Sequence, residues 1–324
     1  MLSRRRFVAL CATSTFATTA GIARAQAWPN RVVRLVVPFA PAGGVDVVGR
    51  LIANRLADMW GQQIVVENKG GAGGNIAAEL VARSEPDGYT MFIASIGHAI
   101  NRHIFASLSY DPIADFAPVT LICVYPNVMV VPMSSPAHSV KEFVDYAKAK
   151  KGVTFASSSS GTSVHLAGEL FKRMASVEMT HVPYRGAGPA LNDLIPGRVD
   201  VMFATASTAV TQMRSGTLRG LAVTTPHRLA IAPELPALSE VGFPGFDVSS
   251  WFAFFVPAKT PAEVVRKIYM DTVKVLREPA MAAKIEQLGA TVVASTPEEL
   301  AAHLKAEMEK WGPIIKEAGI RASE

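Results

Sequence analysis

Residues 36–46 read Val36-Val37-Pro38-Phe39-Ala40-Pro41-Ala42-Gly43-Gly44-Val45-Asp46, and the interpretation of the whole chain begins there. Before this segment, the apolar run from Val32 to Val37 predicts a short buried strand. After it, apolar residues recur with helical spacing until Gly61, which predicts a helix that begins near Val45. Glycines let a ligand approach the backbone, and a helix N-terminus presents unpaired N–H groups to an anion. The turn is therefore a candidate site for a carboxylate or phosphate, although an ordinary turn without a ligand has the same pattern.

The N-terminus has the features of an export signal. The basic segment Ser3-Arg4-Arg5-Arg6 is followed by an apolar stretch that extends to Ile22 and by the small-x-small site Ala23-Arg24-Ala25. The paired arginines followed by a phenylalanine resemble a twin-arginine signal, and a Sec signal is the alternative. We therefore expect residues 1–25 to be a signal peptide that is cleaved after Ala25, and the mature chain to lie in the periplasm.

Composition and charge restrict the classes of partner. The chain has 324 residues, 49% of them hydrophobic and 18% charged, which is typical of a globular protein of about two domains. Removal of the signal takes four of the 32 basic residues and none of the 27 acidic ones, so the mature chain has a net charge of +1. This value gives no support to binding of nucleic acid or anionic lipid. Cys123 is the single cysteine left, so we expect no intrachain disulfide and a buried thiol.

The first part of the chain alternates strands and helices. After Gly61, the pattern predicts a strand over Gln62–Glu67, a helix from Ile76 and a strand over Tyr89–Ala94. Together with the first strand and helix, this alternation is typical of a parallel α/β sheet.

Two loops of this first part are candidates for ligand contact. Gly71-Ala72-Gly73 suggests dinucleotide binding, but Ile76 stands where the third glycine is needed and no acidic ribose partner follows, so a tight turn is the simpler interpretation. The segment Ser95–Asn101 follows the third strand and is predicted to be a polar loop. Within it, His98 is a ligand contact, a solvated residue or a helix cap.

The second part of the chain repeats the scheme. An apolar strand at Val128–Pro132 predicts entry into a second domain, and Trp251–Pro257 predicts a return to the first. Between them, Ser157–Ser163 places hydroxyls and a glycine at a helix N-terminus, as the first turn does; a flexible serine linker is the alternative. We expect residues 26–127 plus 251–324 to form one domain and residues 128–250 the other, with the ligand in the cleft between them.

Sequence patterns that signal catalysis or metal binding are missing. The chain contains no Gly-x-Ser-x-Gly elbow, no His-Glu-x-x-His or Cys-x-x-Cys motif, and no phosphate loop ending in Lys-Ser or Lys-Thr. We therefore predict no catalytic residue, no metal and no cofactor. Near the C-terminus, Thr260-Pro261-Ala262-Glu263 and Thr296-Pro297-Glu298-Glu299 predict capping boxes that open helices to Leu276 and Met308.

Several segments, taken in order and spacing, resemble the substrate-binding receptors of tripartite tricarboxylate transporters, also called Bug proteins. The resemblance extends from about Trp28 to Ile320, and its motifs are residues 38–46 with Arg50, 66–75, 97–101, 161–171 and 181–186. It implies two Rossmann-like α/β domains joined by two crossover strands, as in type II periplasmic binding proteins. It also implies a receptor that closes on a carboxylated ligand and delivers it to a membrane permease.

The resemblance assigns candidate ligand-binding residues loop by loop. The first carboxylate-binding loop is matched by Phe39, Ala40, Ala42, Gly43 and Gly44, the loop after the third strand by Ser95 and His98, and the second-domain loop by Ser157, Thr162 and His165. Asp46 is expected in the first helical turn as a cap and dipole partner.

One segment departs from the family pattern. Many relatives carry Asp-Asn-like residues after the strand that ends near Phe203, and this chain has Ala204-Thr205-Ala206-Ser207. We include Thr205 among the candidate ligand contacts. The missing acid argues against an amino acid or another cationic ligand.

The leading hypothesis is thus an exported, monomeric receptor for a small organic carboxylate, with permease subunits as its partner and no nucleic-acid partner. Two alternatives stay open at this point: a periplasmic ligand sensor that docks on a signalling protein, and a periplasmic enzyme on the same architecture.

Overall fold

The computed structural model describes residues 28–39, 41, 43–184 and 186–321. The predicted signal peptide and the candidate residues Ala40 and Ala42 lie outside the described residues. The strands are β1 (Val33–Val37), β2 (Ile64–Asn68), β3 (Thr90–Ala94), β4 (Phe116–Pro132), β5 (Val153–Ser157), β6 (Met179–Pro183), β7 (Val201–Thr205), β8 (Leu218–Val223), β9 (Ser249–Pro257) and β10 (Thr291–Val292). The helices are α1 (Gly44–Trp60), α2 (Asn75–Ala82), α3 (Gly97–Ile104), α4 (Val140–Ala149), α5 (Ser163–Ala175), α6 (Ala187–Leu194), α7 (Ala206–Arg214), α8 (Ala262–Leu276), α9 (Pro279–Gln287) and α10 (Pro297–Glu317).

These strands form one mixed sheet with two parallel halves. In the first half β1 pairs in parallel with β2 and β3, and in the second half β5 pairs in parallel with β6 and β7. Between the halves lie β9 and β4, which run antiparallel to their neighbours, and the order across the sheet is β2-β1-β3-β9-β4-β7-β5-β6. The predicted α/β fold with two crossover strands is confirmed.

The first crossover strand is longer than the sequence predicted. The sequence predicts a strand that begins at Val128, but β4 runs without a break from Phe116 to Pro132. Its first part pairs with β9 as far as Pro126, and Asn127 pairs with Thr205 of β7. One strand therefore belongs to both halves and changes partner between Pro126 and Asn127.

Helices cover both faces of the sheet. On one face of the first half, α1 and α8 pack through Val48, Ile52, Ile268 and Leu276, all buried. On the other face, α3 and α10 pack against the sheet, and the fully buried Trp251 and Trp311 both donate indole hydrogen bonds to Glu307, at 3.2 and 3.1 Å. Burial of these large apolar side chains supplies the main driving force for folding.

Two helix boundaries differ from the predictions. Thr260 does not cap α8, because its hydroxyl donates to the carbonyl of Pro257 at 2.7 Å and the helix begins after Pro261. The capping box at Thr296 is confirmed, but α10 continues past Met308 to Glu317. Within the described part of the chain, no helix is long and apolar enough to span a bilayer.

Candidate functional site

The two parallel halves direct the C-terminal ends of their strands toward the point where β4 changes partner. On one side, Ala94 at the end of β3 pairs with Ala253 of β9. On the other side, Thr205 at the end of β7 pairs with Asn127 of β4. Loops that follow such strand ends are the usual place for ligands in open α/β sheets. The candidate loops after β1 and β5 both lie at these ends.

Gly43 and Gly44 lead from the first loop into α1 without a left-handed backbone conformation. Gly43 is extended, with φ −74° and ψ 163°, and Gly44 is the first residue of the helix; neither has a positive φ. Both glycines are exposed. A Cβ on Gly44 would lie 3.6 Å from Cζ of Phe252 and 3.9 Å from Cζ of Tyr125. With no side chain at Gly43 or Gly44, the backbone at the start of α1 is left open to solvent.

An ion pair between the buried carboxylate of Asp46 and the exposed guanidinium of Arg50 fixes the position of this loop. Asp46, which is 2% exposed, accepts hydrogen bonds at 3.0 Å from Nε of Arg50 on both carboxylate oxygens. Asn68, at the end of β2, donates one hydrogen bond to Asp46 and one to the carbonyl of Phe39, each at 2.9 Å. The Asp46 carboxylate also raises the pKa of Arg50 by its hydrogen bond. Asp46 lies in the first turn of α1 as predicted, its role as a cap stays a prediction, and its hydrogen bond from Asn68 ties the loop to β2.

His98 and Ser95 lie beneath the surface. The segment predicted as a polar loop is the start of α3, and His98 is 4% exposed among the rings of Phe92, Phe116 and Phe255. Its Nε2 lies 3.0 Å from the carbonyl of Pro112, and burial lowers the pKa of the imidazole to about 4.

The cavity beside His98 and Ser95 is small. Its volume of about 10 Å³ is enough for one water molecule and not for an organic carboxylate. The geometry therefore favours packing roles for His98 and Ser95, and their contact with a ligand stays a prediction.

The second loop is held by its own side chains. Ser157 donates to the carbonyl of Ser159 at 3.0 Å, and its hydroxyl also lies 2.6 Å from Nε2 of His181. Thr162 donates to the same carbonyl at 2.8 Å and caps α5 by accepting from the N–H of His165 at 3.4 Å. Nδ1 of His165 accepts from the N–H of Gly161 at 3.1 Å. These polar groups are therefore used to shape the loop, and ligand contacts of Ser157, Thr162 and His165 stay a prediction.

A stacked pair of histidines supports this loop. The sequence did not predict this contact. The rings of His165 and His181 lie 3.7 Å apart and nearly parallel, with Phe155 beside them. Burial and the neighbouring His165 lower the pKa of His181 to about 4. The pair joins α5 to β6, so the loop between β5 and α5 cannot shift independently of the sheet. The only sequence signal was that both histidines fall within motifs of the resemblance.

Thr205 is the last residue of β7 and directly precedes α7, at the meeting point of the halves. Its hydroxyl donates to that of Thr208 at 3.0 Å, and its backbone pairs with Asn127. Next to it, a cavity of about 430 Å³ lies between α7 and α9 and is lined by Ser207, Arg214 and Glu286. Neither predicted carboxylate loop lines this cavity.

Comparison with known proteins identifies the family. A family model described as "Tripartite tricarboxylate transporter family receptor" matches residues 48–320. The chain belongs to this family. The resemblance drawn from the motifs is thus confirmed.

Relatives and solved structures agree with this assignment. Protein BugT of Bordetella pertussis is 32% identical, with 96% of this chain and 98% of BugT covered. A structure from R. palustris described with adipate has a TM-score of 0.84 and 38% identity over 91% of this chain and 99% of that one. MatC from Rhodopseudomonas palustris with bound malate has a TM-score of 0.79 and 32% identity. This match covers 89% of this chain and 99% of MatC. A further similar structure, with a TM-score of 0.80 and 33% identity over 91% of this chain and 100% of that one, is described as the periplasmic binding protein BugD.

Proposed function

We propose that this chain is a periplasmic receptor that binds a small organic carboxylate and delivers it to the permease subunits of a tripartite tricarboxylate transporter. Family membership and the adipate and malate in similar structures support this proposal. We also propose that the mature chain, starting at Gln26, is monomeric. Its two domains would be residues 26–127 plus 251–324 and residues 128–250, in agreement with the partner change in β4 at Asn127.

The observation that carries the proposal is the convergence of two helix N-termini on the crossover strands. The start of α1 at Gly44 and the start of α5 at Ser163 each present N–H groups that have no partner within their own helix. A carboxylate at either position gains charge-assisted hydrogen bonds and a favourable interaction with the helix dipole. Two such positions suit a ligand that carries an anionic or polar group at each end.

The charged groups near the first loop argue against an amino-acid ligand. Asp46 is buried and paired with Arg50, and the start of α7 carries Thr205. Beside these described residues, an ammonium group would therefore find no unengaged carboxylate to compensate its desolvation. We propose that succinate-like and malate-like acids bind more tightly than aspartate or glutamate.

A thermal-shift screen on mature protein tests the ligand class. Succinate, malate, adipate, citrate, aspartate, glutamate and the neutral diamide of adipic acid form a matched panel. A ligand present at 100 times its dissociation constant adds about 2.7 kcal/mol to the unfolding free energy, which raises the melting temperature by several degrees. We expect shifts with succinate, malate, adipate and citrate, smaller shifts with aspartate and glutamate, and none with the diamide. A protein that responds to no carboxylate contradicts the proposal.

Uptake measurements test the delivery step. Deletion of the receptor gene should abolish uptake of the radiolabelled acid identified in the screen, and a plasmid copy should restore it. Normal uptake together with a lost transcriptional response would instead assign the chain to a sensor.

A further inference from the structure

Two buried polar atoms on β4 have no hydrogen-bond partner among the residues that the structure describes. They are the hydroxyl oxygen of Tyr125 and Nδ2 of Asn127. Tyr125 is 4% exposed and Asn127 is completely buried. Nearly all buried polar groups in folded proteins are paired, so two orphan donors separated by one residue on the same strand require an explanation.

Their position is the point where β4 changes partner. Tyr125 pairs with Ser250 of β9, and Asn127 pairs with Thr205 of β7. Residues two apart on a strand point to the same face. Both side chains therefore project from one face of the only strand that the two halves of the described sheet share.

Each donor lies at a different helix N-terminus. The ring carbon that carries the Tyr125 hydroxyl is 3.9 Å from the position that a Cβ would take on Gly44, the first residue of α1. Oδ1 of Asn127 accepts from the hydroxyl of Ser163, the first residue of α5, at 3.4 Å. The first donor thus adjoins the loop before α1, and the second adjoins the loop before α5.

The surroundings of Asn127 hold its side-chain amide in place. Its backbone N–H donates to the hydroxyl of Thr224 at 3.1 Å, and its carbonyl accepts from the N–H and the hydroxyl of Thr224 at 2.9 and 3.0 Å. With Oδ1 engaged by Ser163, Nδ2 is the one polar atom of this residue left without a partner. The ring of Tyr125 is likewise fixed against Phe252, with centroids 4.8 Å apart.

We infer that the Tyr125 hydroxyl and the Asn127 amide are ligand donors, one for each end of a dicarboxylate. Tyr125 donates to the end held at α1, and Asn127 donates to the end held at α5. Both groups are neutral donors suited to carboxylate oxygens, and each is preorganised by its surroundings. This inference rests on the proposed function and extends it from the loops to the crossover strand.

Substitutions that remove the donors test the inference; Tyr125→Phe removes only the donor, whereas Asn127→Leu also removes the Oδ1 atom that accepts from Ser163. Calorimetric titration with adipate and with malate, and the melting temperature of the ligand-free protein, are measured for wild type, Tyr125→Phe, Asn127→Leu and the double variant. We expect each single substitution to weaken binding about ten- to a hundredfold and the losses to multiply in the double variant. In Tyr125→Phe the melting temperature should not fall, because the removed hydroxyl has no protein partner to lose.

The matched control is Tyr146→Phe on α4. Its hydroxyl donates to Asp200 at 2.7 Å and accepts from Lys150 at 2.9 Å, so it has a structural partner. This variant should melt at a lower temperature and bind both acids as wild type does.

The outcomes separate this inference from the proposed function. Wild-type affinity in both single variants overturns the inference alone. If the loss of affinity in the double variant is not the product of the losses in the two single variants, the assignment of the donors to opposite ends of the ligand is overturned. A wild-type protein that binds no carboxylate overturns the proposed function and the inference with it.

Discussion

The imidazole of His98 links stability to pH. Its pKa is about 4 in the folded chain because of burial, against about 6.5 when the chain is unfolded. Between these values the unfolded chain binds a proton that the folded chain does not, so stability decreases as the pH falls from 6.5 toward 4. The contribution of His98 to this loss is up to about 1.4 kcal/mol per pH unit. Urea unfolding at several pH values between 7 and 4.5 measures it.

The variant His98→Phe isolates this contribution. A phenyl ring fits among Phe92, Phe116 and Phe255 and does not titrate. The slope of unfolding free energy against pH should therefore be shallower than in wild type, with the remaining slope due in part to His181, whose pKa is also about 4. An identical slope would show that His98 is not the titrating group. Loss of carboxylate affinity in the same variant would instead support the prediction that His98 contacts the ligand.

Single residues also show what the sequence could and could not predict at the site. The candidate site at Gly43 and Gly44 could be predicted because these glycines stand between an apolar run and a segment with helical spacing of apolar residues. This is a local pattern. The stacking of His165 on His181 and the orphan donors on β4 depend on pairing between segments far apart in sequence. Local patterns carry no information on such contacts.

At the level of elements, the capping box of α10 stabilises the start of the longest helix. Thr296 accepts from the N–H of Glu299 at 3.2 Å, and Glu299 accepts from the N–H of Thr296 at 2.8 Å. Thr296→Ala should lower the unfolding free energy by about 1 kcal/mol, and Thr296→Ser should lower it less because the hydroxyl is kept. Thermal unfolding followed by circular dichroism measures both. Equal losses in the two variants would mean that the hydroxyl does not act as a cap.

The C-terminal limit of α10 shows how tertiary packing overrides a local signal. Gly312 and Pro313 favour an end to the helix, yet it continues to Glu317. A Cβ on Gly312 would lie 3.0 Å from Cε1 of His103, so the glycine allows α10 to pack closely on α3. Beyond it, Ile315 is buried in the same core as Trp311, and this burial compensates the hydrogen bond that Pro313 lacks.

On the scale of the whole molecule, the alternation of strands and helices was sufficient to predict the fold class. Hydrophobic period and glycine stops located β1, β3, α1 and α5 to within a few residues. The early start of β4 was not predicted, because Pro118 and Pro126 disfavour a strand locally and pairing with β9 determines it.

We expect the two halves to approach each other when a carboxylate binds. Only β4 and β9 cross between the parallel sets of strands in the described sheet, which allows rotation about a few backbone positions. Small-angle scattering should give a smaller radius of gyration with saturating adipate than without it. The matched control is 1,6-hexanediol, which has the same chain length and no carboxylate and should cause no change. Equal radii with and without adipate would mean that binding needs no closure.

The most direct test of the central claim compares calorimetric affinities for the best dicarboxylate of the panel in wild type, Gly44→Val and Gly73→Ala. At Gly44 a side chain meets only ordinary contacts, so Gly44→Val should melt close to wild type and bind about tenfold to a thousandfold more weakly. Gly73 has φ +64°, and a Cβ there would lie 3.3 Å from Asn101, so Gly73→Ala should melt lower and keep its affinity. A folded Gly44→Val that binds as wild type would contradict the placement of the carboxylate at the start of α1.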